Sequence, residues 1–385
     1  MTRDRAGGEP GGPVRPTRVV VDLAAIRHNA ARLGELVDGA VVMAVVKADG
    51  YGHGAVPVAR AALEGGATWL AVALVEEGEA LRAAGVDAPV LVLTEPPVAH
   101  VDRLLDADLT PTLYTPEFGA ALDAAGAARG RTVAVHLKVD TGMARVGVPP
   151  AERAALLRTV TGWRHVHTEA IWTHLARADD PDPDGVASVE AQLDRLDAAL
   201  EEAAGAGLEW DLVHTANSAG ALCHPRARRD LVRPGIALYG LSPSAEVDVA
   251  EHGLRPALSL VTDVRFVKRV EAGTPVSYGH RWRAPADGWL ATLQVGYADG
   301  VPRALTNRAE VLVGGVRRPL VGTVCMDQVC VWFGDDEPTL GDEVVLLGAQ
   351  GDEVVRVEEW AAAADTITYE LVTQLTARPP RTHRG

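Results

Sequence analysis

The chain has 385 residues, 47% of them hydrophobic, and carries 37 Lys and Arg against 52 Asp and Glu for a formal net charge of -15. That length exceeds one typical domain but suits a barrel of roughly 250 residues with a smaller domain beside it. The acidic balance excludes nonspecific binding to nucleic acid or an anionic membrane, so positive charge must be gathered locally wherever an anion is held.

The start, Met1 to Arg18, holds Arg3, Arg5, Arg15 and Arg18 but is broken by Gly and Pro and lacks the apolar stretch of a signal peptide. Residues 1–17 read as a loose tail. No run approaches the ~20 apolar residues of a membrane helix. Three cysteines, Cys223, Cys325 and Cys330, lack the spacing of a disulfide or zinc framework, and a reduced cytoplasm is the simplest compartment.

Arg18 to Leu23 reads as a short strand and Ala24 to Val37 as a helix, with Ile26, Leu33 and Leu36 near helical spacing. Eight candidate strands then follow: Val41 to Val46, Trp69 to Leu74, Val90 to Leu93, Thr110 to Leu113, Val133 to Val139, Glu169 to Thr173, Asp211 to His214 and Gly235 to Leu238. Between them lie alanine-rich amphipathic stretches such as Val98 to Asp106, Pro116 to Ala128, Pro149 to Val160 and Val186 to Ala204. The rhythm is that of parallel βαβ units. It predicts an α/β fold in which residues 18–250 close as a (β/α)8 TIM-type barrel with its active groups at the C-terminal ends of the strands. A doubly wound open sheet competes, but no Gly-x-Gly-x-x-Gly loop accompanies the units. The acidic stretch Ala176 to Gly185, with Asp179, Asp180, Asp182 and Asp184, reads as a solvated loop, and no metal site is expected.

Near residue 250 the pattern changes. Val261 to Val270, Trp289 to Val295, Ala309 to Val313, Arg318 to Val321, Gln328 to Trp332 and Glu343 to Leu347 are short β-type runs broken by Gly and Pro. Residues 251–385 are therefore expected as a mostly β C-terminal domain, with short helices over Glu358 to Ala364 and Thr368 to Leu375.

Lys47 ends the apolar run Val41 to Val46 and precedes Gly50-Tyr51-Gly52-His53-Gly54. An ammonium at the end of a buried strand loses solvation unless it is paired, neutralised or used covalently. An amine held neutral there can condense with a carbonyl as a Schiff base. The alternative is a lysine snorkelling from a strand end.

The segment Lys47 to Gly54 resembles the pyridoxal-phosphate lysine motif of alanine racemases, with Asp49-Gly50 a mild departure from the usual Asn-Ala. The resemblance runs in order from about Val19 to the C-terminal arginines. It implies a racemase of L- and D-alanine, active as a homodimer with shared sites and supplying D-alanine for cell-wall peptidoglycan. Protons must leave one face of the substrate and return on the other, which two bases on opposite sides achieve. The resemblance gives these as Lys47 and, from the partner subunit, the tyrosine of Val276-Ser277-Tyr278-Gly279.

By the same resemblance, Tyr51 and Tyr369 hydrogen-bond the cofactor phosphate and Tyr297 narrows the substrate entrance. His214-Thr215-Ala216-Asn217-Ser218-Ala219 and Val232-Arg233-Pro234-Gly235-Ile236 resemble phosphate segments, giving Asn217, Ser218, Gly235 and Ile236 as cofactor contacts. Arg233 is implied against the pyridine nitrogen, where a guanidinium that stays charged weakens the electron sink. His174 is implied as its support or that of the ring. In Lys138-Val139-Asp140-Thr141-Gly142-Met143-Ala144-Arg145, Arg145 orients substrate carboxylate or the base-side network, and Lys138 is a candidate for carbamylation as its partner. Most family members carry a polar residue or Gly where Ala144 stands. Cys325, Met326 and Asp327 match a segment that contacts substrate carboxylate from the second subunit. Three alternatives stay open: racemisation of serine or another small amino acid, a fold-related decarboxylase of basic amino acids, and a noncatalytic cofactor carrier.

Overall fold

A computed structural model describes residues 15–385. The chain divides into two compact units, one over Asp22–Ala257 and one formed by the N-terminal segment up to Val21 together with Leu258–Arg384.

In the first unit, α1 (Leu23–Leu36) begins at Asp22, whose carboxylate accepts from Ala25 N at 3.1 Å. Eight parallel strands follow: β2 (Val41–Val45), β3 (Trp69–Val72), β4 (Val90–Val92), β5 (Thr110–Leu113), β6 (Val133–Lys138), β7 (Val166–Trp172), β8 (Leu212–His214) and β9 (Leu231–Val232). They close as a barrel in that order. Closure is made by Val41 and Val42 pairing with Leu231 and Val232. Met43, Leu70, Leu91 and Leu113 are fully buried, as expected of a barrel covered by helices on its outer side. Among the described residues no helix is long and apolar enough to cross a membrane.

The eighth strand is not where the sequence places it. Gly235 to Leu238 was expected to extend, but Pro234 breaks the chain after β9 and Ile236–Tyr239 winds as a 3-10 turn. A proline cannot donate to a ladder, and a two-residue strand is too short to show alternation. Arg233, Gly235 and Ile236 therefore lie past the C-terminal end of the last strand instead of entering it.

The first strand also differs. β1 (Arg18–Asp22), expected at the start of the barrel domain from residue 18, pairs antiparallel with β10 (Leu258–Val270), Val20 opposite Ser259. The barrel is thus an insertion between β1 and β10, bounded by residues 21/22 and 257/258 instead of 17/18 and 250/251. Asp22 N donates to Ala257 O at 2.8 Å and fastens its two ends together.

The second unit continues with β11 (Pro275–Val276), β12 (Trp282–Arg283), β13 (Gly288–Leu293), β14 (Glu310–Val313), β15 (Val316–Val321), β16 (Val329–Gly334), β17 (Glu343–Gln350), β18 (Glu353–Val355) and β19 (Arg381–Arg384). The strands β10, β13, β16, β15, β14 and β17 pair in sequence, and β17 pairs back onto β10. Of the tail expected over 1–17, residues 1–14 lie outside the described residues. Residues 15–17 are tied down: Arg15 forks onto Asp299 at 2.5 and 2.7 Å, and the buried Thr17 bonds Thr262 Oγ1 and Gln294 O.

Candidate active site

Lys47 follows β2 and opens a single turn in which the chain runs left-handed, with φ of 53° at Ala48, 52° at Asp49, 61° at Gly50 and 51° at Tyr51. For residues other than glycine each such conformation costs roughly 1–2 kcal/mol. Its bonds offset that cost. Ala48 N donates to Glu77 Oε1 at 2.6 Å, Gly50 N to Val46 O at 2.9 Å and Ala55 N to Asp49 Oδ1 at 2.9 Å. Glu77 Oε2 also accepts from Ala73 and Leu74 N at 2.8 and 3.1 Å, so one carboxylate braces two loops. Such strain concentrates at functional positions.

Around this turn the barrel mouth gathers cations. The chain contains only three lysines, and two of them, Lys47 and Lys138, are here. Burial, then Arg145, lowers the Lys47 pKa, while Glu77 opposes the shift. Lys138, at the end of β6, is pushed down to about 7 by burial and by Arg233, Arg145 and Lys47, with Asp140 acting the other way. Arg145 sits in the loop after β6, where Asp140 Oδ1 accepts from Gly142 and Ala144 N. Ala144 has φ 54°, a left-handed conformation that a residue with a Cβ adopts only at some cost.

Arg233 is buried, and burial lowers its pKa to about 9, which leaves it charged at neutral pH. It donates to Thr173 O and Thr215 O, both at 2.9 Å, and to His214 Nδ1 at 2.6 Å. The expected support, His174, is the weaker neighbour at 3.4 Å. Because Arg has no acceptor, the proton order is fixed from that end. His214 Nε2–H donates to His136 Nδ1 at 3.0 Å, and His136 Nε2–H donates to Glu169 at 3.2 Å. Burial first, then Arg233, holds His214 and His174 well below the usual histidine pKa, so both are neutral.

His136, His214, Glu169 and Glu77 were not singled out from sequence. A signal existed for His136, which stands two residues before Lys138 and so shares its strand face. A histidine amid the apolar residues of β6 is out of place unless it is bonded.

Asn217 caps the helix Ser218–Cys223 by accepting from Gly220 N at 2.9 Å. Ser218 Oγ accepts from Gly235 N at 2.9 Å and Ala237 N at 3.2 Å, which leaves its own proton to donate. At Gly235 an added Cβ would lie 2.4 Å from the phenol oxygen of Tyr51. Tyr51 is buried with its ring 5.0 Å from that of Tyr239, and burial raises its pKa, so it remains a donor. A Ser hydroxyl, a Tyr hydroxyl and a side-chain-free backbone at the mouth, beside four cations, fit a phosphorylated cofactor.

The β unit assembles its own group. Ser277, at φ 63°, sets the direction of Tyr278 and is held by its Oγ donating to Thr323 O at 2.7 Å, while Thr323 Oγ1 donates to Tyr278 O at 2.6 Å. The Tyr278 side chain is 76% exposed. A hollow of about 390 Å³ beside it is lined by Thr323, Cys325 and Gln328 among others. Tyr297 N and Ala298 N donate to the carbonyls of Cys325 and Met326 at 3.0 and 3.1 Å, so Tyr297 joins that group. Cys325 Sγ meets Ser277 Oγ at 3.2 Å, Met326 is exposed, and Asp327 is paired with Arg378 at 2.8 Å. Tyr369 lies on the helix Thr368–Thr373 of the same unit.

Residues 21–243 match the family description "Alanine racemase, N-terminal domain" and residues 257–383 match "Alanine racemase, C-terminal domain". The chain belongs to the alanine racemase family. An alanine racemase of Symbiobacterium thermophilum is 48% identical over 97% of this chain and 98% of its own length. Among solved structures, an alanine racemase of Streptomyces coelicolor A3(2) superposes with a TM-score of 0.92 at 40% identity, over 96% of this chain and 98% of that one. That of a D-cycloserine-producing Streptomyces lavendulae gives 0.90 at 39% identity, over 97% and 98%.

Proposed function

We propose that the chain interconverts L- and D-alanine with pyridoxal 5'-phosphate held at the barrel mouth, and that Tyr278 comes to that mouth from a second copy of the chain. The observation that carries this reading is the convergence of Lys47, Lys138, Arg145 and Arg233, opposed within the mouth by Glu77 and Asp140. Such a crowd of cations either gives up protons, as the lowered lysine pKa values show, or is balanced by anions that enter. A cofactor phosphate and a substrate carboxylate supply them.

When bound, the cofactor provides an electron sink that eases loss of the substrate α proton. Lys47 would hold it through Nζ between turnovers and, once released as a free amine whose pKa is lowered, would take and return the proton on one face. Tyr278 Oη does the same on the other. Its 76% exposure on its own unit suits a residue that completes a neighbour's site. Arg233, with His174 and His214 kept neutral around it, would disfavour a proton on the ring nitrogen of a cofactor held beside it and so restrain side reactions. That place is usually acidic in decarboxylases of related fold, which tells against that alternative.

Tyr51, Ser218, Gly235, Ile236 and Tyr369 hold the phosphate, while Asn217 fixes the turn that presents Ser218. Arg145 orients the substrate carboxylate, with Lys138, a substantial fraction of it neutral amine near pH 7, able to take up carbon dioxide as a carbamate partner. Tyr297 narrows the way in, and the Cys325-Met326-Asp327 segment serves the carboxylate from the second protomer. The setting we assign is cytoplasmic, in keeping with three free thiols, and the product D-alanine supplies peptidoglycan.

Purified protein incubated with L-alanine, L-serine or L-lysine in deuterated solvent tests this reading. Chiral analysis is expected to give both alanine enantiomers, with deuterium at Cα of the product. Carbon dioxide release without racemisation, or no exchange with any substrate, would overturn it.

A further inference from the structure

Trp172, the last residue of β7, is fully buried against two of the mouth cations. Lys138 Nζ lies 3.9 Å from its ring centroid and Arg233 Cζ lies 4.6 Å from it. The indole also stacks on His214 at 5.2 Å and 15°, the same histidine that accepts from Arg233. Its Nε1–H meets no acceptor among the described residues, so the ring is engaged through its faces and not through its polar atom.

Two cations beside one buried ring repel each other. The face of an indole carries the negative part of its quadrupole, and of the aromatic side chains it holds cations best, most strongly where water is excluded. The other groups facing Lys138 are Arg233, Arg145 and Lys47, which disfavour its charge, Asp140, which favours it, and His174 and His214, which are neutral. Among the described residues, Asp140 is the charged neighbour that favours the ammonium, and the Trp172 ring lies against it.

We infer that Trp172 is a positioning residue of the site: its π face keeps Lys138 and Arg233 side by side and sets how much of Lys138 is present as free amine. Its bearing on catalysis rests on the racemase reading above; its bearing on Lys138 rests on these contacts alone.

The probe is cyanate, small enough to enter the mouth. The neutral amine attacks the carbon of isocyanic acid, a new N–C bond forms, and one amine proton moves to the cyanate nitrogen to leave a urea. The extent of reaction at each lysine is read by peptide mass spectrometry on holoenzyme equilibrated in buffer freed of carbon dioxide and bicarbonate, so that Lys138 reacts as the amine and not as a carbamate. Lys268, on β10 and exposed, is the third lysine of the chain and serves as the internal reference.

Below neutral pH, Trp172→Leu is expected to raise the Lys138 to Lys268 rate ratio about tenfold, and Trp172→Phe is expected to stay within about threefold of the parent. Should the leucine variant fail to fold, biosynthetic replacement of the tryptophans by analogues bearing more ring fluorines drains the π face without changing shape. The ratio is then expected to climb with fluorine number. A ratio unchanged across the fluorinated series and the two variants would overturn the inference, even in an active racemase. A climbing ratio supports it, even if no amino acid is racemised, and in that case only the racemase reading fails.

Discussion

Gly235 shows how much can hang on a missing atom. Its Cβ position is 2.4 Å from the Tyr51 phenol, so Gly235→Ala must displace the hydroxyl that we propose holds the cofactor phosphate. A hydrogen bond to a charged group contributes about 1.5–3 kcal/mol, and cofactor affinity is therefore expected to fall by about tenfold to a hundredfold in a fluorescence titration. Unchanged affinity would remove Tyr51 from the cradle. Lys138 makes a pH-dependent case. Its folded pKa of about 7 is below the ordinary 10.5, so between these values the unfolded chain binds a proton that the folded chain lacks. Stability on this account rises with pH across that window, and the burden is full below about 7. Lys138→Met removes the charge at similar volume. It is expected to melt at a higher temperature than the parent at pH 6 and to lose most of that advantage by pH 10. An equal shift at both pH values would mean that packing, not charge, is responsible.

At the scale of elements, the left-handed turn after β2 depends on a carboxylate from the next loop. Glu77→Ala strips acceptors from the backbone N–H groups of Ala48, Ala73 and Leu74 at once. A loss of about 2 kcal/mol is expected, which for a unit of this size lowers the melting temperature by about 5 °C in calorimetry. A smaller change than about 1 °C would show that the turn holds itself. Here the limits of the sequence are plain. Seven of the eight barrel strands are legible because their apolar runs are long enough to show a period and are separated by helical stretches. The eighth is not, because Leu231–Val232 is only two residues while Gly235-Ile236-Ala237-Leu238 is a better apolar run. Lys47, Tyr278 and Arg145 are legible through motifs, each embedded in Gly-rich turns. The chain from Arg233 through His214 and His136 to Glu169 is not, since it joins three strands and the turn after a fourth by contacts that exist only once the barrel is closed.

On the whole-molecule scale, β1 belongs to the same sheet as strands more than 230 residues later, a pairing that no local pattern announces. The barrel is therefore held at both ends by the β unit's chain, with Asp22 and Ala257 bonded at the crossing. Each copy carries one set of mouth cations and one exposed Tyr278, and in the proposed dimer closed twofold symmetry would let each copy lend its tyrosine to the other. The central claim is that Lys47 and Tyr278 of different protomers serve one reaction. Co-expression of a Lys47→Ala chain with a Tyr278→Phe chain, each bearing its own tag, tests it most directly. Each variant alone is expected to be nearly inactive. Random pairing makes half the dimers mixed, and a mixed dimer has one intact site of two, so the unsorted mixture is expected to recover about a quarter of parental activity and the doubly tagged fraction about half. No recovery in the doubly tagged dimer, with both chains folded and cofactor bound to the Tyr278→Phe protomer, would contradict the account.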